Sequence, residues 1–156
     1  MPTVWITDKQ EQEDIIRNCD SCAMSMVDTN GDPYVVMMNY GYEDDVIYFH
    51  GDPNGRKMDI LKENPKICIT MSTEHSIYYQ NEKVACSYGM NYKSIIADGK
   101  VEFVEDYDEK VKALNLIMAQ YVDGEFGYNS PAVKQVAVFK VKLNNLKAKN
   151  FGRFVR

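Results

Sequence analysis

Asn30 and Gly31 set the first constraint on how this chain can fold. They stand between one apolar run, residues 22–27, and a longer one, residues 34–42. An Asn-Gly pair readily takes the positive-φ conformations of a tight hairpin turn. Glu43-Asp44-Asp45 then turns the chain again and residues 46–50 run back. Strands that follow one another through such short connections predict an antiparallel meander. The second run is almost continuously apolar, as expected when both faces of a strand are covered, so Met37 is expected in the core.

The remaining elements follow from local signals. Thr7-Asp8-Lys9-Gln10 fits a capping box, which predicts a short helix after Thr7 with Ile15 and Ile16 as its apolar edge. A second short helix, residues 56–63, ends at Asn64-Pro65, because the residue before proline avoids the α region. Residues 66–72 alternate as a half-buried strand, and residues 74–82 read as loop or irregular strand. Residues 92–104 form a long strand bent or bulged at Asp98-Gly99. Asp106 or Asp108 caps a helix whose stripe is Val111, Leu114, Ile117, Met118 and Tyr121. A loop with Gly124, Gly127 and Pro131 leads to a last strand in which Ala137, Phe139, Val141 and Leu143 alternate with polar or smaller neighbours. The sum is a mainly β, α+β chain: about six antiparallel strands in a closed or nearly closed barrel, with short helices between them. Its 156 residues read as one domain, 1–156.

Several function classes fall away. No apolar run approaches the ~18 residues a membrane span needs, and the first ten residues lack the order of a secretory signal, so a cytoplasmic protein is expected. The net charge is −5, and every acidic residue lies before Phe126, so nucleic acid is not the expected partner. From Phe126 onward stand seven basic residues and no acid, a stretch suited to an anionic ligand, to a second subunit's acidic body, or simply to solvent. Cys19 and Cys22 form a C-x-x-C pair, but Cys68 and Cys86 are too dispersed to complete a zinc site, and buried structural thiols are expected. With only His50 and His75, a histidine-rich metal centre is not expected either. No G-x-S-x-G elbow, H-E-x-x-H or Walker loop is present.

The segment His50-Gly51-Asp52-Pro53-Asn54-Gly55-Arg56-Lys57 joins a strand end to a helix start. Glycines let backbone approach a ligand, helix N-termini present unpaired N–H groups, and two cations follow, so a phosphate is the anion this arrangement suits.

Residues 34–42, then Ile47-Tyr48-Phe49-His50-Gly51, then Gly55-Arg56-Lys57, resemble the FMN-binding split-barrel family, which includes the pyridoxamine-phosphate oxidases. The nitroimidazole-resistance branch is the nearest in pattern; Asn64-Pro65-Lys66-Ile67-Cys68, Tyr92-Lys93-Ser94-Ile95 and the helix from 109 to 121 continue the match in order. The resemblance implies a six-stranded split β-barrel of Greek-key type, with FMN at the interface of a two-fold homodimer. It implies that Met38, Asn39 and Tyr40 line the isoalloxazine, largely through backbone, with His50 and Gly51 beside it. Arg56 and Lys57 would hold the phosphate, and Tyr92 and Ser94 would reach the same ligand from the facing strand. The implied activity passes electrons from NADH or NADPH through the flavin to a small acceptor such as a nitro compound, with His50 as the proton donor. No G-x-G-x-x-G fingerprint is present, so the reductant would dock transiently. A non-catalytic flavin carrier or sensor is the alternative, as is a haem- or deazaflavin-binding member of the same fold. Apart from the resemblance, Tyr40, Tyr42 and Tyr48 fit dimer packing equally well. Two departures stand out: Met37 where the resistance branch usually carries proline, and a C-terminus without the arginine-and-histidine ending of true pyridoxamine-phosphate oxidases.

Overall fold

The structure is a computed structural model and describes residues 3–152. The hairpin forms as its turn residues dictate: β2 (Cys22–Val27) and β3 (Pro33–Met38) pair antiparallel, Val27 opposite Pro33. The Asp28 carboxylate accepts from the N–H groups of Asn30 and Asp32, both at 2.9 Å, and Gly31 takes φ +83°.

The expected meander stops there. β3 ends at Met38, and the chain crosses to the far end of the sheet, where β4 (Gly41–Glu43) pairs with β5 (Val46–Gly51). Tyr40 makes the crossing. Its ring is wholly buried, and its phenol lies against the carbonyls of Ile16, in the last turn of α1 (Lys9–Asn18), and of Cys19, its C-cap. Its N–H donates not to a strand but to the Tyr121 hydroxyl at 3.1 Å. Gly41 follows where no side chain fits: a Cβ would stand 2.5 Å from the Ile117 backbone nitrogen of α3 (Tyr107–Tyr121).

The long strands β6 (Lys66–Tyr78) and β7 (Gly89–Val104) form the centre of the sheet. The order is β3-β2-β6-β7-β8-β5-β4, with β8 spanning Ala137–Lys142. The early part of β7 pairs with β9 (Asn144–Phe151), which in turn pairs with β1 (Thr3–Ile6); its end, Val101 to Val104, pairs with β8. β3 and β4 end the path without pairing to each other, so the barrel is split rather than closed, and the order is interleaved as a Greek-key-type fold requires. The described residues form nine strands, not six. β1 and β9 lie outside the expected strands, because β1 is a run of only four residues and β9 a largely polar one, and both gain their partners only across the fold.

Local expectations hold in most places and shift in a few. The cap of α1 is Asp8, whose carboxylate accepts from Glu11 N at 3.0 Å, one residue past the expected Thr7. β6 continues through the stretch read as irregular, with a bulge between Thr73 and Ser76 and Glu74 at φ +56°. Between Ile96 and Asp98 the pairing of β7 with β9 shifts register, but the extra residue lies on β9, where Asn145 takes φ +51°; β7 itself pairs with β6 without interruption through Asp98-Gly99, so the bulge expected there in β7 is not found. At Gly99 a Cβ would come within 2.2 Å of Val141 Cγ1. α2 (Arg56–Glu63) matches its expected bounds, and Asp106 caps α3.

The core follows the strand alternation. Met38 faces Cys22, Met71 faces Ile95, and Ile95 faces Ala148, which faces Ile6; all point inward and are buried. Each isoleucine or methionine removed from water in this way contributes about 1.5–3 kcal/mol. Phe49 and Phe139 fill the other half, with ring centroids 5.3 Å apart. Met37 is not in the core: it is 65 % exposed on the outer face of β3, an edge strand covered on one side only. Cys19 and Cys22 are buried and all four cysteines are free.

Candidate phosphate cradle and its surroundings

β5 ends at His50 and Gly51, and four residues later α2 begins. Asn54 N donates to the Asp52 carboxylate at 2.8 Å, which fixes the loop. Gly55 is the N-cap, at φ +108°, and supplies no side-chain acceptor to the first turn. The opening N–H groups of an uncapped helix carry the positive end of its dipole and suit an anion.

Lys57 lies beside these groups. It is half-buried, its Nζ stands 3.5 Å from Met38 Sδ, and a Cβ on Gly51 would come within 3.0 Å of it. It forms no ion pair among the described residues. Burial lowers its pKa from the ordinary lysine value, while Asp52 acts in the opposite direction. A cation partly stripped of water and in no ion pair is a site prepared for an anion. Arg56 behaves differently: its guanidinium rests 4.4 Å from the centre of the Tyr34 ring and 4.0 Å from the Asp28 carboxylate.

His50 occupies the outward side of β5, paired with Val138. The residue is exposed. The protein packed behind it, and then the Lys57 ammonium, lower its pKa. An open cleft of about 720 Å³ runs from His50, Gly51, Asp52, Pro53 and Asn54 to Gln135 and Val136. These last two belong to α4 (Ser130–Gln135) and its C-cap, a helix that was expected to be loop. Asn129-Ser130-Pro131 was the available signal: Asn129 accepts from Ala132 N at 3.3 Å and proline sits in the first turn. The buried Lys110 of α3 holds α4 by donating to the carbonyls of Val133, Lys134 and Val136, the last at 2.9 Å.

The structure thus brings Met38, Gly51 and Lys57 into contact, with His50 beside them. Asn39 is exposed, and its amide donates to Asp20 O at 3.2 Å. The phenol and N–H of Tyr40 are both committed within the chain, so only its carbonyl is left for a ligand. Tyr92 and Ser94 stand on the outer face of the other half of the sheet. Tyr92 packs between Phe151 (5.2 Å) and His75 (6.2 Å), and Ser94 faces Ser72 and Lys149 across the strands. Within one chain they share no hydrogen bond, ion pair or ring contact with residues 50–57 among the described residues.

Among the described residues no group of three or more His, Cys, Asp or Glu gathers as metal ligands would, and no helix is long and apolar enough to cross a membrane.

Comparison with known proteins gives this geometry its context. A family model described as pyridoxamine 5'-phosphate oxidase matches residues 8–150. A crystal structure of a candidate 5-nitroimidazole antibiotic resistance protein from Bacteroides thetaiotaomicron is 44 % identical, with a TM-score of 0.86 over 97 % of this chain and 89 % of that one. A flavocytochrome from Azotobacter vinelandii is 20 % identical (TM-score 0.80; 96 % of this chain, 70 % of that one). A FAD and haem binding protein from Mycobacterium smegmatis is 13 % identical (TM-score 0.84; 97 % and 75 %). These last two share the fold. No curated protein sequence matches. With its split barrel and with the family match spanning nearly its whole length, the chain belongs to the pyridoxamine 5'-phosphate oxidase family.

Proposed function

We propose that this protein binds FMN between two copies of the chain and acts as an oxidoreductase, taking electrons from NADH or NADPH and passing them to a small acceptor such as a nitro compound. The observation that carries the reading is Lys57: a half-buried cation with no ion-pair partner among the described residues, held against Gly51 at the start of an uncapped helix. One cation at one helix N-terminus matches a single phosphate, which favours FMN over a dinucleotide flavin or haem. The 44 %-identical relative, described as a candidate 5-nitroimidazole resistance protein, supports the nitro acceptor.

FMN, when bound, supplies the acceptance and release of two electrons that this chain's side chains lack. The protein's part is binding, orientation and exclusion of water. Lys57 and the first N–H groups of α2 would hold the phosphate, and Met38 and the exposed Asn39 would flank the ring system. His50, with its lowered pKa, would give a proton only from its charged fraction.

The outer face of the sheet supports the dimer. Met37 faces Ala23, Ala23 faces Thr70 and Thr70 faces Ile96, a row pointing away from the core; Val35 and, at the other end, the Ile77–Met90 pair extend it. Val35, Met37, Ile77, Met90 and Ile96 are all exposed, an apolar surface that a second copy would cover. Laid there, the copy would carry Tyr92 and Ser94 to the cradle of its partner. The four free thiols suit a reducing compartment and favour the cytoplasm.

Absorbance of the purified protein titrated with FMN, followed by gel filtration, tests both parts. One FMN per chain co-migrating with a dimer is the expected result, and turnover with NADH or NADPH then separates an enzyme from a flavin carrier. A monomer that ignores FMN overturns the proposal.

A further inference from the structure

One cation on the outer face has no role in the cradle. Lys149 of β9 places its Nζ 5.5 Å from the centre of the Tyr92 ring and 5.6 Å from that of Phe151, two rings that pack 5.2 Å apart. It is half-buried and forms no ion pair among the described residues. Lys93, by contrast, is tied to Glu74 at 3.0 Å. Across the strands Lys149 stands opposite Ser94 on one side and Trp5 on the other, and directly opposed residues share a face. Trp5 is 60 % exposed. The rings fix the ammonium in place without neutralising it, since a cation–π contact leaves a net positive charge.

Aromatic faces, a hydroxyl and an uncompensated ammonium on adjoining strands are what recognition of a flat ring bearing an anionic group requires. We propose that this cluster is the acceptor subsite. It takes planar aromatic compounds that carry a carboxylate, stacks the ring against the aromatic side chains, and pairs the carboxylate with Lys149. The identity of this ligand as an electron acceptor rests on the FMN reading above; the binding preference does not.

Trp5 is the only tryptophan of the chain, so its fluorescence reports on this patch alone. The experiment titrates the full-length protein, without added FMN, with 4-nitrobenzoate and with the uncharged 4-nitrobenzamide. It is repeated on Lys149→Met, with Lys149→Gln as a second variant should methionine disturb folding. The expected result is a preference of about tenfold or more for the carboxylate, the size of one charge-assisted contact. The preference should vanish in the variant while nitrobenzamide affinity and FMN retention stay unchanged. Equal affinities in the native protein, a preference that survives removal of Lys149, or binding of neither compound would overturn the proposal. A protein that prefers the carboxylate yet never binds FMN would overturn the flavin reading and leave this one standing.

Discussion

Lys57→Met should move apoprotein stability and FMN affinity in opposite directions. Lys57 is half-buried against Gly51 and the Met38 sulfur, and burial lowers its pKa by more than the Asp52 charge raises it. Methionine keeps an unbranched stem of similar length and fills the same space without the charge. The apoprotein should therefore melt at the same temperature or higher, because a desolvated ammonium has been removed. FMN binding should weaken. A hydrogen bond to a charged group is worth about 1.5–3 kcal/mol, which corresponds to about 10- to 150-fold in Kd. Arg56→Met makes the control. Its guanidinium already rests on Tyr34 and lies 4.0 Å from Asp28, and it is exposed enough for water and salt to screen it, so the loss should stay within about fivefold. Fluorescence titration with FMN and thermal unfolding without ligand read the two quantities separately. The reasoning is refuted if Lys57→Met keeps FMN affinity within about twofold of native, or if it lowers apoprotein stability markedly.

Other parts of the structure make equally direct predictions. Tyr40→Phe leaves the buried carbonyls of Ile16 and Cys19 to the Gln120 amide alone, and should cost about 1–2 kcal/mol in urea unfolding with FMN affinity unchanged. Gly41→Ala drives a Cβ to 2.5 Å from backbone of α3, which cannot yield as a side chain could; a loss of at least about 1–3 kcal/mol is expected, and an unaltered unfolding midpoint would contradict the packing. Burial pushes the Cys22 thiol from 9.0 up to about 12. The unfolded chain therefore loses this proton first, and stability falls as pH rises from 9 toward 12, by roughly 4 kcal/mol from this thiol; Cys22→Ala should remove that share of the slope and leave the share of Cys19, whose thiol burial raises to about 11. His50 has a lowered pKa, so turnover that uses its proton should rise as pH falls below the ordinary histidine range, and His50→Gln should remove that limb of the profile.

Elements whose signals lie within a few residues were legible in the sequence. The Asn30-Gly31 hairpin and the ends of α2 each depend on local backbone chemistry. The failures share a cause. Residues 34–42 read as one strand because a continuous apolar run looks the same whether it stays in a sheet or leaves it. What ends β3 is Tyr40, held by carbonyls of α1 and the hydroxyl of α3, contacts 24 and 81 residues away in sequence. β1 and β9 were hidden because their strand character comes from pairing with each other and with β7. The same pairing decides the place of Met37. With Met38 opposite Cys22 and facing inward, Met37 must face outward, and composition alone could not choose between them.

The site divides along the same line. Gly51, Gly55, Arg56 and Lys57 could be grouped from sequence because strand end, loop and helix start are contiguous, and the helix terminus explains why cations there matter. Which cation faces the cradle could not be read, since Arg56 and Lys57 are neighbours on a helix and point about 100° apart. One finds Tyr34 across the sheet and the other finds Met38. Lys149 was legible only as one charge in a basic stretch. Its meaning comes from β9 lying between β1 and β7, which sets a single ammonium between Trp5 and Ser94 and over two aromatic rings. The cradle forms where β5 runs into α2, and the aromatic cluster lies on the outer face of β7 and β9. If the two halves of the site meet only between copies, mutations at Lys57 and at Lys149 on different chains should complement each other in a mixed dimer. Pairs on the same chain should not. That asymmetry is the signature a site contained in one chain cannot produce.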